Sequence, residues 1–237
     1  MQLFYHPELI ETSSTAVFNK EESRHIIKVL RKSVGDQMLI TNGKGFFFTS
    51  QITNTFSNKC EVKILSAEQQ NPFPYHLHLA VAPTKLNDRY EWFLEKATEI
   101  GVTEITPIIC DHSERTKIKP ERYEKIIHSA MKQSLKAYLP KLNPAVTFSQ
   151  FISSKQFNAE QKLIAHCSDT EKKSLKSILK KGEAVLLLIG PEGDFSEKEI
   201  SIALQNNFQA VSLGDSRFRT ETAAVVACHS VAFVNED

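Results

Sequence analysis

Two stretches of the chain put glycine where a buried run gives way to a helix signal. The first, "AVLLLIGPEGDFSEKEI", runs uncharged from Ala184 to Ile189, then turns through Gly190, Pro191, Glu192 and Gly193, with Ser196 and Glu199 at capping-box spacing. The second, "VSLGDSRFRTETAAVVA", leaves a short apolar run at Leu213 and Gly214 and enters a helix that Thr220 is placed to cap. Glycine at a strand exit has no Cβ, so backbone amides and carbonyls can approach a flat ligand closely. Tight strand-to-helix turns would use the same glycines without any ligand, so each loop by itself leaves both readings open.

Several familiar chemistries are excluded. The chain contains no G-x-x-x-x-G-K-[ST] for triphosphate, and "VAPTKLNDRYEW" after the first strand of the second half lacks G-x-G-x-x-G. Ser196 is not framed as G-x-S-x-G, and its capping role accounts for it. Cys60, Cys110, Cys167 and Cys228 lie about fifty residues apart, which suits buried free thiols better than a zinc knuckle or a redox dithiol. His76 and His78 fall on one face of a strand with no third ligand nearby, so no metal is expected.

The elements that must position the two loops follow from the rest of the 237 residues, 41% of them hydrophobic and 24% charged. Residues 1–70 hold short runs, "QMLI", "FFFTSQI" and "CEVKIL", separated by turn-rich "SVGD", "TNGKG" and "FSNK", the pattern of a small β-barrel or sandwich. One helix interrupts them over "KEESRHIIKVLRK", capped by Asn19, with Ile26, Ile27, Val29 and Leu30 as its apolar side. The aperiodic, proline-bearing stretch 66–75 marks a domain boundary, with a second domain over 73–237. There, strands near 76–82, 104–109, 161–166, 184–189 and 209–213 alternate with helices near 88–100, 120–136, 171–181, 197–206 and 220–234, which predicts an α/β domain with a mostly parallel sheet. In such sheets ligands collect beyond the carboxyl ends of the strands, where both glycine turns fall.

Charge is nearly balanced, 29 basic against 28 acidic residues, so any attraction to nucleic acid must be local. Between Arg115 and Lys141 there are eight Lys or Arg and two Glu, and "RHIIKVLRK" adds Arg24, Lys28, Arg31 and Lys32. A solvated helix face would look the same, yet two such patches favour phosphate contacts. "MQLFYHPELIE" has neither a basic leader nor a signal-length apolar core, and no run approaches membrane-spanning length, so a cytoplasmic protein without membrane contact is expected.

Taken in order, "HIIKVLRKSVGD", "DRYEWFLEKATEIGV", "SERTKIKPERYEKIIHSAMKQS", "LLLIGPEGDFSEKE" and "LGDSRFRTETA" resemble the RsmE family of the SPOUT class, which methylates N3 of a uridine in small-subunit ribosomal RNA. The resemblance implies an N-terminal PUA-like β-barrel, a C-terminal α/β domain with a deep trefoil knot, and a homodimer. It implies S-adenosylmethionine as cofactor, held by Leu188, Ile189, Gly190, Pro191, Glu192 and Gly193 on one side and Leu213, Gly214 and Phe218 on the other, with main-chain groups reading the adenine. Arg219 is then the expected cation for a developing uridine anion and Glu221 a candidate base, with pairing to Arg219 or to the helix dipole as its rival roles. Ribosomal RNA, free or in the small subunit, would meet Arg24, Lys28, Arg31, Lys32, Arg89, Arg115, Lys117 and Arg122.

The chain departs from the family pattern at named positions. Asp194 stands where a second glycine is usual, Ser216 and Arg217 replace an arginine and an apolar residue, Lys136 replaces an arginine, and "MQLFYH" lacks an early arginine. Two other accounts compete with the family reading: a non-catalytic RNA-binding dimer, and a knotted methyltransferase acting on another RNA position or on ribose.

Overall fold

Alternation in "FFFTSQITN" puts Phe48, Ser50 and Ile52 on one face, and all three are buried. The computed structural model, which describes residues 2–56, 59–154 and 159–236, builds a five-stranded sheet around that face. Its strands are β1 (Leu3–Tyr5), β2 (Thr15–Val17), β3 (Gln37–Thr41), β4 (Phe46–Asn54) and β5 (Glu61–Gln69), in the order β1-β3-β4-β5-β2. Pairing is antiparallel except between β1 and β3. The expected barrel is thus a half-barrel: β1 and β2 remain edges, bridged by His6, whose Nε2 donates to the Val17 carbonyl at 3.1 Å. Phe4, Phe18, Ile26, Met38, Ile40 and Val62 fill the interior with Phe48 and Ile52. The buried Ser50 hydroxyl is satisfied by the Met38 carbonyl at 3.1 Å. Ser57 and Asn58 of the "FSNK" turn lie outside the described residues.

The helix expected over 20–32 is shorter and changes pitch. Helix α1 (Lys20–Arg24) is capped as predicted, Asn19 Oδ1 accepting from the Glu22 amide at 2.9 Å, and then widens into a π-helical turn over His25–Val29. The chain leaves it through Arg31 at φ 56°. The wider turn rotates Val29 out of the apolar side, leaving it 66% exposed, while Ile26 stays fully buried.

The compact unit containing this sheet comprises Met1–Pro72 together with Met131–Leu139. In the latter segment Tyr138 donates its hydroxyl to the Gln70 carbonyl at 2.9 Å, and its ring lies where a Cβ on Gly45 would be, at 2.4 Å.

The second unit, Phe73–Ala130 with Pro140–Asp237, alternates strand and helix. Its strands β6 (Leu77–Val81), β7 (Glu104–Ile109), β8 (Lys141–Leu142), β9 (Val146–Thr147), β10 (Gln161–Ala165), β11 (Lys173–Ser174), β12 (Val185–Ile189) and β13 (Gln209–Ser212) pair in parallel throughout. The order is β11-β13-β10-β12-β6-β7-β8, with β9 also on β7. The central β12 and β6 are buried at every position, as strands covered on both faces require.

The helices are α2 (Asn87–Ile100), α3 (Pro120–Gln133), α4 (Phe148–Ser153), α5 (Leu175–Ile178), α6 (Glu197–Gln205) and α7 (Thr220–Asn235). Helix α6 begins with the predicted capping box of Ser196 and Glu199. Only one turn of the helix expected at 171–181 forms, because Lys173 and Ser174 pair with β13 instead. Helix α4 was not expected, although Thr147 and Gln150 make a full capping box. Among the described residues no helix is long and apolar enough to cross a membrane.

His78 does not serve as half of a histidine pair. Its ring is buried and contacts Thr106 Oγ1 at 2.7 Å, and burial pushes its pKa down to about 4. His76 instead faces Glu104 at 3.5 Å.

Candidate active site

The carboxyl ends of β6, β7, β10 and β12 are tied together by side chains from the loops that leave them. After β12, Gly190 packs so closely that a Cβ there would lie 3.1 Å from the ring of buried Phe195. At Gly193 a Cβ would meet the Cβ of His112 at 3.0 Å. His112, in the loop after β7, donates Nδ1–H to the carbonyls of Gly193 and Asp194 at 3.0 and 3.1 Å. Next to it the Asp111 amide donates to Glu199 Oε1 at 2.9 Å, and the Ser196 hydroxyl donates to Asp111 Oδ2 at 2.7 Å. The turn and the start of α6 are therefore fastened to the loop after β7 through two of its residues, His112 and Asp111.

Asp194, the departure from the family glycine, adopts φ 63°, a left-handed conformation that glycine takes freely and aspartate tolerates. Its carboxylate has its own task. Oδ2 accepts from the Cys167 amide at 2.7 Å, tying this turn to the loop after β10, and Oδ1 accepts from the Phe195 amide at 2.9 Å. Glu192 accepts from the Lys85 amide at 3.0 Å in the loop after β6. That loop is held in turn by Arg115, which donates to the carbonyls of Thr84 at 3.0 Å and Lys85 at 2.7 Å.

The second glycine turn, after β13, has Gly214 at φ 130° with nothing within 4 Å of a built Cβ, so conformation rather than crowding selects glycine there. Thr220 does not cap α7, whose cap position is Arg219. Its buried hydroxyl instead donates to the Gly190 carbonyl at 3.0 Å and joins the two turns.

These loops enclose a cavity of about 680 Å³. Ile189, Gly190, Pro191 and Glu192 line it from one turn, and Leu213, Gly214, Phe218 and Arg219 from the other, all expected from the sequence. Two expected residues are not on the wall. Leu188 is fully buried in the core between strands, and Gly193 is turned to His112. Arg219 is exposed, and among the described residues its side chain makes no hydrogen bond or ion pair.

Glu221 is placed differently from the expectation. It is 7% exposed, does not line the cavity, and pairs with Arg89 at 3.9 Å rather than with Arg219. Its Oε2 has no hydrogen-bond partner among the described residues. As the second residue of α7 its charge also faces the positive end of that helix.

The residues expected at RNA fall into two groups. Arg24, Lys28 and Arg31 are exposed on the first unit and Lys117 on the second. Lys32 reaches the Gln37 carbonyl at 3.4 Å, Arg122 pairs with Glu91, and Arg115 and Arg89 hold the contacts already described.

The loop after β10 brings His166, Cys167 and Lys172 to the cavity, and the turn after β12 adds Asp194, none of which sequence reasoning put there. The strand before it was legible, but its exit, "HCSDTEKK", carries no glycine to mark it. Cys167 is exposed, unlike the other three cysteines. His166 is buried, accepts or donates with Ser168 Oγ at 3.1 Å, and is held toward its neutral form by burial and by the charge of Lys172.

Comparison with known proteins points the same way. A family profile described as RNA methyltransferase domain matches residues 71–232, and one described as RNA methyltransferase PUA domain matches residues 18–65. The ribosomal RNA small subunit methyltransferase E of Bacillus subtilis is 26% identical over 240 residues, covering 96% of this chain and 93% of that protein. A solved structure of a probable rRNA-methyltransferase from Porphyromonas gingivalis superposes with a TM-score of 0.91 at 41% identity, covering 99% of this chain and 98% of the other. The ribosomal RNA small subunit methyltransferase E of Neisseria gonorrhoeae, solved bound to S-adenosyl methionine, gives 0.88 at 28% identity, with 99% and 98% covered.

Proposed function

Because the chain belongs to the RNA methyltransferase family, as a member of its ribosomal RNA small subunit methyltransferase E group, we propose that the cavity at the strand exits serves methyl transfer to N3 of a uridine. The protein is an S-adenosylmethionine-dependent methyltransferase of small-subunit (16S) ribosomal RNA. The observation that carries the finer reading is the hydrogen bond from Thr220 to Gly190, which holds two glycine turns as the walls of one cavity.

The residues present fit the cofactor. The cavity's 680 Å³ lies inside the roughly 300–1,000 Å³ typical of small-molecule sites. Gly214 presents bare backbone with open space around it, and the main chain of 215–218, on the cavity wall, is available to an adenine edge, whereas that of 188–190 is taken by the neighbouring strands and by Thr220. S-adenosylmethionine supplies a methyl group already activated on a sulfonium, so placement and charge are what the protein must add. Glu192, fixed by the Lys85 amide, puts a carboxylate on the wall where a sulfonium would be complemented.

Arg219 is the cation we assign to the uridine. It stands on the cavity wall with its guanidinium uncommitted and permanently charged, so it can stabilise the anion that forms as the N3 proton leaves. Glu221, buried against Arg89 and off the wall, is assigned to positioning the first turn of α7 rather than to proton removal. Arg24, Lys28, Arg31 and Lys117 are the groups we assign to RNA phosphates. N3 is reached by splaying the uridine from its stack.

A homodimer in the cytoplasm completes the reading. Trp92 on α2 and Phe233 on α7 are 43% and 64% exposed, apolar surface that a second copy would cover.

Incubation with labelled S-adenosylmethionine and either isolated 16S RNA or small subunits, followed by mapping of the modified nucleotide, tests the assignment. One methyl at N3 of one uridine is expected. Label on ribose, on another base, or nowhere would refute it.

A further inference from the structure

The loop after β10 contributes a fixed positive charge to the cavity. Lys172 lines the wall, and its ammonium donates to the carbonyls of His166 at 3.1 Å and Ser168 at 2.7 Å. An ammonium has three N–H donors, and among the described residues nothing takes the third. The two carbonyls hold the group in place before any ligand arrives, which lowers the ordering cost of binding.

Among the described residues no carboxylate forms an ion pair with this ammonium, and two of the acidic side chains on the same wall bond elsewhere. The Asp194 carboxylate is occupied by the amides of Cys167 and Phe195, and Glu192 by the amide of Lys85. His166, buried beside Lys172, adds no negative charge. A fixed ammonium repels a sulfonium and an α-ammonium and attracts a carboxylate. S-adenosylmethionine has one anionic group, the carboxylate of its amino-acid end.

Resting on the reading that the cavity takes this cofactor, we propose that Lys172 binds that carboxylate and so selects an intact methionine moiety. The wall would then divide by charge: the loop after β10 takes the amino-acid end, and the Glu192 turn takes the sulfonium.

Calorimetry on the full chain with S-adenosylmethionine and with its decarboxylated analogue, S-adenosyl-methylthiopropylamine, tests this. The wild type is expected to prefer the carboxylated ligand by about 10- to 100-fold, the range for a hydrogen bond between charged groups. In Lys172→Met, and independently in Lys172→Gln, S-adenosylmethionine should weaken by that factor while the analogue changes little, so the preference collapses. Lys172→Arg should restore most of it. If Lys172 only braces its loop, both ligands weaken together and the preference survives, which overturns the proposal. A wild type that binds the two equally overturns it as well, with the cofactor reading intact. A wild type that binds neither overturns the cofactor reading and this proposal with it.

Discussion

Replacing Asp194 separates two opposing effects that the structure puts on one residue. Its φ of 63° costs a non-glycine residue about 1 kcal/mol, a cost glycine would not carry. Against that stand two hydrogen bonds from its carboxylate, at 2.7 Å to the Cys167 amide and 2.9 Å to the Phe195 amide. Bonds to a charged acceptor contribute roughly 1.5–3 kcal/mol each when buried; for a half-exposed carboxylate solvent screens them to about 1 kcal/mol each, about 2 kcal/mol for the two together. Asp194→Gly should therefore lose about 2 and regain about 1, a net destabilisation of about 1 kcal/mol. Asp194→Ala keeps the strain and loses both bonds, about 2 kcal/mol. Asp194→Asn keeps one acceptor oxygen and should fall near the glycine variant.

Urea unfolding followed by the fluorescence of Trp92, the single tryptophan and a residue of the same unit, reads this series directly. Affinity for S-adenosylmethionine should follow the same order, since the bond to Cys167 joins two loops of the cavity. A glycine variant as stable as the wild type, or more so, would show that the carboxylate bonds add nothing net. The substitution would then be a mere departure from the family pattern.

Three further outcomes are expected. Arg219→Ala should lower turnover by about 10²–10³-fold while cofactor affinity measured by calorimetry stays within a few-fold, and near-normal turnover would remove Arg219 from the reaction. For His78, whose folded pKa of about 4 lies below the ordinary 6.5, the unfolded chain takes up the proton first, so stability falls as pH drops from about 6.5 to 4. The loss approaches about 3 kcal/mol; His78→Gln should flatten it between pH 6.5 and 5, above the range in which Glu104, held low chiefly by His76, begins to protonate. Affinity for a 16S RNA fragment should fall steeply with salt, and Lys117→Ala or Arg31→Ala should each reduce the slope of log K against log salt by about one, which a filter-binding series would measure.

Strand and helix alternation in the second unit was legible because each buried run is short, branched and bounded by turn residues. The same rule failed where tertiary pairing overrode local pattern. Residues 173 and 174 joined β13 in place of a helical turn, and the π turn at 25–29 moved Val29 outward. Both glycine walls of the cavity were readable from sequence, since glycine at a strand exit is a local signal. The third wall was not, because "HCSDTEKK" looks like any polar loop until β10 places it beside β12. Arg115 and Arg122 show the limit of charge counting. A run of basic residues gives their number but not their partners, and both arginines are committed to groups some thirty residues away, Thr84 and Lys85 for one and Glu91 for the other.

The strand order explains why the two glycine walls meet at all. Strand β13 lies outside β10, whereas α7, which follows it, packs on α2, β6 and β12. The chain from Ser212 to Thr220 must therefore travel across the ends of β10 and β12, and this traverse is the loop that carries Gly214, Phe218 and Arg219. Where it passes the exit of β12, Thr220 bonds to Gly190. The crossing that a trefoil knot would need and the walls of the cavity proposed for the cofactor are thus the same backbone. Loosening one loop moves the other, so a stable crossing keeps the cavity formed without a ligand, and the binding free energy need not be spent on closing it.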